Sequence, residues 1–386
     1  MSRKDPVIRR TIVIAPDKFK GSLAALEVAR AIERGLRRVL HDRFTLHLIP
    51  MADGGEGTVA AFVEHGATAE RRVVRGPLGA AVEATFAREG DLAIVEMASA
   101  SGLALLPPER YDARSGSTHG TGELLRAALD AGAARIVVGI GGSATTDGGA
   151  GMLVALGARL LDSAGEPLPP GGGHLGRLAT IDLTHLDARL REVTIDVAAD
   201  VDNPLCGARG AAVVFGPQKG ASPSDVAVLD GALAHFADVA ASVLGHDGRA
   251  APGAGAAGGL GFALAAFLGA RLRPGVDIIA ELRRLDEALR DAALCLTGEG
   301  RIDEQTLNGK TVAGVARIAR RHGVPVFALA GTLDAAAEEA LYARGVICVP
   351  IVDGPMPLER AIAQTAELIE VAATRLARTL QVSGAR

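Results

Sequence analysis

The residues best suited to chemistry lie in one stretch near the C-terminus, LCLTGEGRIDEQTLNGKT from residue 294 to residue 311. Glu299 and Asp303 precede Lys310 and Thr311, which open a segment with apolar residues at helical spacing. Open α/β sheets bind ligands where a strand ends in a polar loop before a helix. Helix N-termini favour anions, so we expect Lys310 to face phosphate and the acids to hold a divalent metal. The alternative is an ordinary strand-to-helix loop with a solvated cluster of charges.

The same stretch matches the P-loop pattern G-x-x-x-x-G-K-[ST] only at its end, in Gly309, Lys310 and Thr311. The first glycine of that pattern would fall at Glu304. An acidic side chain has no place in a loop that wraps phosphate with backbone N–H groups. We therefore expect a phosphate-facing helix start and not a P-loop.

Two strand–loop–helix segments near the N-terminus carry further charged side chains in their loops. The first predicted strand ends in a loop with Asp17, Lys18 and Lys20, and the second ends in a loop with Asp53. The carboxyl ends of parallel strands share one edge of a sheet, so both acids are expected on the same edge as Glu299. Two lysines in a loop suit a small acid's carboxylate or a transferring phosphate, and they equally suit plain solvation.

The chain of 386 residues predicts about two domains. The rhythm of strands and helices changes near residue 71, where short strands suggest antiparallel pairing, and α/β alternation returns after Pro274. We expect a helix over 278–291 and a closing helix over 358–380. The simplest architecture is a parallel α/β domain of residues 1–70 and 280–386, with residues 71–279 inserted as a second α/β domain.

Composition excludes several classes of protein. A net charge of −4 and only 3% aromatic residues argue against a nucleic-acid-binding surface. The cysteines form no metal-type pair, and no apolar leader follows the N-terminus, which predicts a cytoplasmic protein. The uncharged segment 250–270 is too rich in Ala and Gly to predict a membrane span. Nothing in the sequence specifies an oligomeric state.

A glycine-rich loop follows the strand that ends near Gly139. Residues 139–144, GIGGSA, fit the dinucleotide fingerprint G-x-G-x-x-A, and Asp162 lies near the spacing of a ribose-binding acid. However, the following TTDGG delays the helix that should begin within this fingerprint, which disfavours NAD(P). The backbone N–H groups with the hydroxyls of Ser143 and Thr145 suit nucleotide phosphates, and Asp147 suits a metal. The remaining alternative is that these glycines only allow close packing.

Three further polar residues are candidates for a site. Asp200 and Asn203 offer hard oxygen ligands or a base, although an Asx turn before Pro204 is the competing interpretation. His119 lies in a loop of Ser, Thr and Gly, where it is either a base or a hydrogen-bonded structural histidine. Together with the strand-end acids and lysines, these residues fit phosphoryl transfer, in which catalysis is positioning and charge stabilisation.

Seven runs in order span nearly the whole chain: APDKFKGSL from Ala15, PMADGGEGT from Pro50, STHGTGEL from Ser117, GIGGSATTDGGAG from Gly139, DVDNPL from Asp200, FGPQKGAS from Phe215 and LTGEGRIDEQTLNGKT from Leu296. With these runs the sequence resembles the bacterial glycerate kinase family of the first type. The resemblance implies ATP-dependent, Mg²⁺-assisted phosphorylation of D-glycerate to 2-phosphoglycerate. It also implies a flavodoxin-like domain from both chain ends, an inserted mixed α/β domain, and a site in the cleft between them.

We assign roles as hypotheses on this basis. Asp53, with Asp200 as the competing candidate, accepts the hydroxyl proton, while Lys18 assists catalysis and binds substrate with Lys20. Mg²⁺ is assigned to Asp303 and Glu299, substrate also to Ser101, His119 and Asn203, and the nucleotide to Gly141, Gly142, Ser143, Thr145, Gly309 and Lys310.

Three other functions stay open at this point. A kinase of the same fold could act on a related hydroxy acid or yield the 3-phosphate. A non-catalytic ligand sensor is disfavoured because all the strand-end acids are present. An NAD(P)-dependent oxidoreductase is the alternative from another class of enzyme.

Overall fold

A computed structural model describes residues 10–307 and 310–382, and the chain divides into two compact units. Unit 1 comprises the chain up to Asp53 and from Val276 onward, and unit 2 comprises Gly54–Gly275. In chain order the described strands are β1 (Arg10–Ile14), β2 (Phe44–Leu48), β3 (Thr68–Arg75), β4 (Ala81–Glu89), β5 (Leu92–Glu96), β6 (Arg135–Gly139), β7 (Arg159–Leu161), β8 (Thr180–Asp182), β9 (Thr194–Ala198), β10 (Arg271–Arg273), β11 (Ala292–Ile302), β12 (Val326–Leu333) and β13 (Val346–Pro350).

The helices cover both units. In chain order they are α1 (Ala25–Leu40), α2 (Thr58–Glu64), α3 (Ala98–Ser101), α4 (His119–Asp130), α5 (Ala150–Ala155), α6 (Ala211–Phe215), α7 (Pro223–Leu244), α8 (Ala256–Leu268), α9 (Gly275–Leu282), α10 (Leu285–Leu289), α11 (Glu304–Leu307), α12 (Thr311–Arg321), α13 (Ala335–Tyr342), α14 (Leu358–Ala363) and α15 (Thr365–Val382).

Unit 1 contains a parallel sheet in the order β13-β12-β11-β1-β2. Counted along the unit itself this is the order 2-1-3-4-5, which is flavodoxin-like. The central strands are apolar on both faces, with Ile12 and Ile14 on one face and Val13 and Cys295 on the other, each at most 1% exposed, as expected of a sheet covered by helices on both sides. The predicted α/β fold class is confirmed. The strand order reverses between β1 and β11, so ligands are expected outside their carboxyl ends.

Unit 2 contains a mixed sheet in the order β10-β9-β6-β5-β4-β3. Strands β3, β4 and β5 pair antiparallel, whereas β5, β6, β9 and β10 run parallel. The predicted change to antiparallel pairing near residue 71 is thereby confirmed. Helices α4, α5, α7 and α8 bury a core of Ala, Leu and Phe side chains against this unit's strands.

The division of the chain differs from the predicted boundaries at 70/71 and 279/280. Helix α2 packs on β4 and β5, and the Val59 N–H donates to Glu96 Oε1 at 2.6 Å. Residues 54–70 are therefore built into unit 2, although their strand–loop–helix pattern looks continuous with β1 and β2. At the second boundary Val276 packs against Gly314 of unit 1, where an added Cβ would lie 2.5 Å from the Val276 side chain.

Several predicted elements differ in detail. Strand β11 continues to Ile302 because Arg301 pairs with Thr332 of β12, so Glu299 lies in a strand and not in a loop. The helix expected over 278–291 is split into α9 and α10 by Arg284, whose φ is +54°. The closing helix is similarly divided into α14 and α15. Helix α4 begins at His119, which the sequence had placed in a loop.

Within the described residues, α7 alone has the length and apolar composition of a helix that could cross a membrane. A core helix of a folded domain meets the same criterion. In α7 the side chains of Leu229, Leu233 and Phe236 are completely buried in unit 2. The Phe236 ring lies with its centroid 5.7 Å from that of Phe262 and 6.1 Å from that of Phe267. Helix α7 thus supplies part of the core of its unit.

Candidate active site

Asp17 lies at the switch point of the unit 1 sheet, in the loop that follows β1. Its N–H donates to Gly298 O at 2.8 Å, which fixes the loop against β11. Its carboxylate accepts hydrogen bonds from the Lys18 N–H at 2.7 Å and from Thr311 Oγ1 at 2.5 Å. Asp17 is only 7% exposed. The sequence had placed this acid at the sheet edge but had assigned it no role.

Two acids of this edge are costly to ionise. Burial and then the charge of Asp53 raise the pKa of Asp17 to about 6, against the lowering by Thr311 and Lys18. Burial likewise raises the pKa of Glu299 to about 7, and the charge of Asp17 adds to that rise. A hydrogen bond that Thr306 Oγ1 donates to Glu299 Oε1 at 2.7 Å works in the opposite direction. The predicted meeting of strand-end acids at one edge is thus observed, with mutual repulsion as its consequence.

The other predicted residues of unit 1 surround these acids. Lys18 is half-buried, and its charge lowers the pKa of Asp17, whereas Lys20 is exposed. Lys310 caps helix α12, its Nζ donates to Gln305 Oε1 at 2.8 Å, and its charge lowers the pKa of Glu299. The helix therefore starts where the sequence predicted. Gly309, the other predicted phosphate contact in this stretch, lies outside the described residues.

The acids of unit 1 are the candidate ligands for the expected Mg²⁺. In the part of the chain that the structure describes, no group of three or more His, Cys, Asp or Glu is arranged to hold a metal ion. Mg²⁺ often takes only one or two protein carboxylates and completes its shell with water and phosphate oxygens. Asp17 and Glu299 fit that requirement, because a cation would offset the cost of ionising two buried, mutually repelling carboxyls. The carboxylate of Asp303 instead accepts from the Gln305 N–H at 2.9 Å and lies 3.2 Å from Arg301 Nε.

The glycine-rich loop of unit 2 follows β6 and runs to α5, which begins at Ala150, so its helix is delayed as predicted. Gly141 and Gly142 are exposed, and Gly142 has a φ of +73°. The hydroxyl of Ser143 is buried, accepts from the Thr145 N–H at 3.1 Å and lies 3.1 Å from Thr145 Oγ1. The loop therefore offers its glycine backbone to solvent, while the two hydroxyls predicted to bind phosphate bond to the loop itself.

Asp147 anchors the far end of this loop. Its carboxylate accepts four hydrogen bonds: from the Thr118 N–H at 2.8 Å, Thr118 Oγ1 at 2.9 Å, and the N–H groups of Gly149 and Gly151, each at 3.1 Å. The side chain is fully buried, and burial raises its pKa in spite of those four bonds. Asp147 thus ties the loop to the start of α4. The hydroxyl of neighbouring Thr146 is buried with no hydrogen-bond partner among the described residues.

Lys219 is the second buried charged residue at this loop, and nothing in the sequence indicated that it contacts the loop. It is 2% exposed, and its Nζ donates to Thr145 O at 2.5 Å and to Ser143 Oγ at 3.4 Å. Burial lowers its pKa to about 7, although the charge of Asp147 acts in the opposite direction. The motif FGPQKGAS contains this lysine, but no pattern of neighbours marked it as buried.

Ser101 and His119 lie at the two sides of the loop. Ser101 O accepts from the Ala144 N–H at 2.9 Å, and its buried hydroxyl lies 2.9 Å from Thr121 Oγ1. His119 Nδ1 lies 3.4 Å from Glu123 Oε1 but without hydrogen-bond geometry. Burial and then the charge of Arg75 lower the pKa of His119. These surroundings favour the neutral form of His119.

Asp200 and Asn203 follow strand β9. Asp200 is exposed, and its Oδ1 accepts from the Gly275 N–H at 3.1 Å. Asn203 Nδ2 donates to Arg209 O at 2.8 Å, and Asn203 O accepts from the Gly255 N–H at 2.8 Å. The side chain of Asn203 thus stabilises its own loop as a donor. This contact is not the Asx turn of the alternative interpretation, because the Leu205 N–H donates to Arg249 O.

The dinucleotide alternative is not supported by the position of Asp162. A ribose-binding acid should end the strand that lies next to the strand of the fingerprint. Strand β7, which precedes Asp162, instead pairs antiparallel with β8 in a separate two-stranded sheet. The Asp162 carboxylate accepts from the N–H groups of Ala164 and Glu166 and forms an ion pair with Arg177. Asp162 is a turn residue in this fold.

Comparison with known proteins agrees with the phosphate-handling interpretation. A sequence profile of the Glycerate kinase family matches residues 12–381. The chain is 51% identical over 372 residues to the glycerate kinase of Halalkalibacterium halodurans, covering 95% of this chain and 97% of that protein. It is 50% identical over 325 residues to the glycerate 2-kinase of Escherichia coli, covering 83% and 85%.

A crystal structure gives the same result. The structure of a candidate glycerate kinase 2 from Salmonella typhimurium LT2 matches with a TM-score of 0.88 and 46% identity, covering 98% of this chain and 100% of that one. Similarity at this level, over the full length of the chain and in both sequence and structure, shows common descent. The chain therefore belongs to the glycerate kinase family.

Proposed function

We propose that this protein is an ATP-dependent glycerate 2-kinase, which transfers the γ-phosphoryl group of ATP to the 2-hydroxyl of D-glycerate. The observation that carries the proposal is the edge of unit 1, where Asp17 and Glu299 lie beside Lys18 at the switch point of a flavodoxin-like sheet. Family membership supports the choice of glycerate, and similarity to the glycerate 2-kinase of Escherichia coli supports the 2-position.

The charged groups of unit 1 would hold the reacting groups. Lys18 and Lys20 neutralise the glycerate carboxylate or the γ-phosphate, where a positive charge stabilises the transition state. Asp53 accepts the proton of the attacking hydroxyl, with Asp200 of unit 2 as the competing candidate. Mg²⁺, when bound, would neutralise charge on the phosphates, and Glu299 and Asp17 would hold it. Asp303 is retained as a ligand through water.

The nucleotide phosphates would be bound mainly by backbone groups. Gly141 and Gly142 present N–H groups at the exposed part of their loop, and Lys310 caps the start of α12. A backbone that is already ordered loses little entropy when it binds phosphate. The buried hydroxyls of Ser143 and Thr145 shape the loop in this scheme, and Gly309 completes the predicted contacts. Ser101 and His119 remain candidates for glycerate binding.

A coupled assay tests the reaction. Purified protein is incubated with D-glycerate, ATP and Mg²⁺, and the product is passed either to enolase alone or to phosphoglycerate mutase plus enolase. We expect a signal with enolase alone, because enolase acts on the 2-phosphate. A signal that appears only with the mutase would show 3-phosphate formation and reverse the substrate orientation.

Two controls separate the remaining alternatives. Absence of ADP formation from D-glycerate would contradict the proposal and direct attention to related hydroxy acids. An absorbance change with NAD(P)⁺ and glycerate, from reduction of the cofactor, would instead indicate an oxidoreductase. A cytoplasmic location completes the proposal, since the three cysteines are free and reduced thiols are typical of that compartment.

A further inference from the structure

Lys219 is a buried lysine that the proposed reaction does not use. It lies in a single turn after α6, Pro217–Lys219, and Gly220 follows it with a φ of +88°. A Cβ on Gly220 would lie 2.7 Å from Tyr111 O, so the chain is closely packed here. Such packing places the whole lysine side chain inside unit 2, where only 2% of its surface is exposed.

A buried ammonium group is expensive, because desolvating an ion costs several kcal/mol even after relaxation. The described residues show no ion pair to Lys219, and Asp147 supplies the one charge that favours its protonated form. An apolar side chain of similar length would fill the same space at lower cost. The hydrogen bonds of its amino group must therefore account for the presence of a lysine at this position.

That amino group holds one short segment of the glycine-rich loop. Nζ donates to Thr145 O and to Ser143 Oγ, and Ser143 Oγ accepts from the Thr145 N–H. Lys219 thus fixes both the side chain and the backbone of a three-residue turn. Gly258 packs against the same carbonyl from the other side, since a Cβ there would lie 1.9 Å from Thr145 O. The carbonyl has a single position available to it.

The far end of the loop is fixed independently by the four hydrogen bonds to Asp147. Asp147 and Lys219 therefore clamp the loop on either side of Thr146, from beneath the surface. Gly141 and Gly142 lie outside this clamp and are exposed. The Gly142 carbonyl accepts from the Leu103 N–H at 2.9 Å, and the turn that Lys219 holds begins at the next residue, Ser143. The orientation of the two glycines therefore depends on both contacts.

We propose that Lys219 is a positioning residue for the phosphate donor: it holds Ser143–Thr145 so that Gly141 and Gly142 aim their N–H groups at the nucleotide phosphates. It acts through Thr145 O and Ser143 Oγ and does not contact the nucleotide. This inference rests on the proposed function of the loop. It predicts that loss of the amino group weakens the use of ATP and leaves the use of glycerate intact.

The test compares Lys219→Met, which keeps the length of the side chain and removes its donors, with Gln218→Met in the same turn, where the side chain is exposed. For Lys219→Met we expect the KM for ATP to rise about 10- to 100-fold, as an ångström-scale displacement of a binding group can produce. The KM for D-glycerate should change less than about twofold, since uniform binding of the acceptor is untouched. Gln218→Met should match the wild type, and circular dichroism should show a folded protein.

A purely structural lysine would give a different result. Unchanged KM values, or equal losses for both substrates with a lower Tm, would overturn the proposal. If Lys219→Met does not fold, Ser143→Ala removes the second half of the contact, and it should raise the KM for ATP selectively by a smaller factor.

Titration calorimetry with ATP separates this inference from the proposed reaction, because it needs no acceptor. Wild-type protein that binds ATP but does not phosphorylate glycerate would contradict the proposed substrate only. Weaker ATP binding by Lys219→Met would still support the role of Lys219. Equal binding by the two proteins, or no binding by the wild type, would overturn it.

Discussion

The acidic edge of unit 1 and the glycine-rich loop of unit 2 both follow parallel strands, yet they satisfy their polar groups in opposite ways. At the acidic edge, Asp17 and Glu299 carry raised pKa values and repel each other. In the loop, Asp147 receives four hydrogen bonds from neutral donors, and Lys219 donates its own to the backbone. The first region concentrates negative charge, and the second is held by its own hydrogen bonds.

This difference has a thermodynamic consequence. A carboxyl whose pKa is raised in the folded state binds its proton more tightly there than in the unfolded chain. For Asp17 the stability is therefore unaffected below about pH 4, falls as the pH rises from 3.8 to about 6, and stays lower above that. The full penalty is about 3 kcal/mol. Ionisation of the acidic edge thus lowers stability at neutral pH.

The largest expected effect comes from Asp17→Asn. The variant keeps an oxygen that can accept from the Lys18 N–H and gains an amide N–H that can donate to Thr311 Oγ1. It removes the charge, so kcat/KM should fall on the order of 10²-fold or more. In the absence of ligands its Tm at pH 8 should rise, because the cost of ionisation is gone, and at pH 3.5 it should match the wild type. The exposed Asp42→Asn serves as the control. An activity loss together with a lower Tm at pH 8 would contradict the described environment.

A smaller effect, on stability, is expected when a side chain is added at Gly258, which packs against the glycine-rich loop. Gly258→Ala places a Cβ 1.9 Å from Thr145 O at a φ of +69°, which should lower the free energy of unfolding by about 2–4 kcal/mol. Gly269→Ala is the matched control: its φ is +64° and nothing lies within 4 Å, so only the conformational cost of about 1 kcal/mol applies. Denaturant unfolding measures both values. Equal losses would mean that the loop is not held as tightly as described.

The smallest effect concerns Thr306, whose hydroxyl donates to Glu299. Removing that donor in Thr306→Val should raise the pKa of Glu299 further, because the hydrogen bond stabilises its charged form. The acidic limb of the kcat/KM profile should then move to higher pH by less than about one pH unit. Thr306→Ser retains the hydroxyl and should leave the limb in place. An unmoved limb in the valine variant would show that Glu299 does not set it.

The sequence predicted the positions of acidic residues best where these residues lie at the ends of parallel strands. Asp17, Asp53 and Glu299 were expected at one edge because parallel strands align their carboxyl ends, and the sheet order β11-β1-β2 confirms this. It was less successful at boundaries. Helix α2 continues the local α/β pattern of the N-terminus, and only its packing on β4 and β5 assigns it to unit 2. Local patterns do not record long-range contacts.

The sequence by itself determined the fold class and the family, since these depend on local periodicity and on contiguous motifs. The tertiary structure decided which side chains of those loops are buried. Ser143 and Thr145 were expected to face phosphate but lie inside the loop, and Lys219 looked like any lysine in a turn yet is enclosed. Burial and the pKa values that follow from it depend on neighbours distant in sequence. For Lys219 these are residues 74 and 76 positions away along the chain.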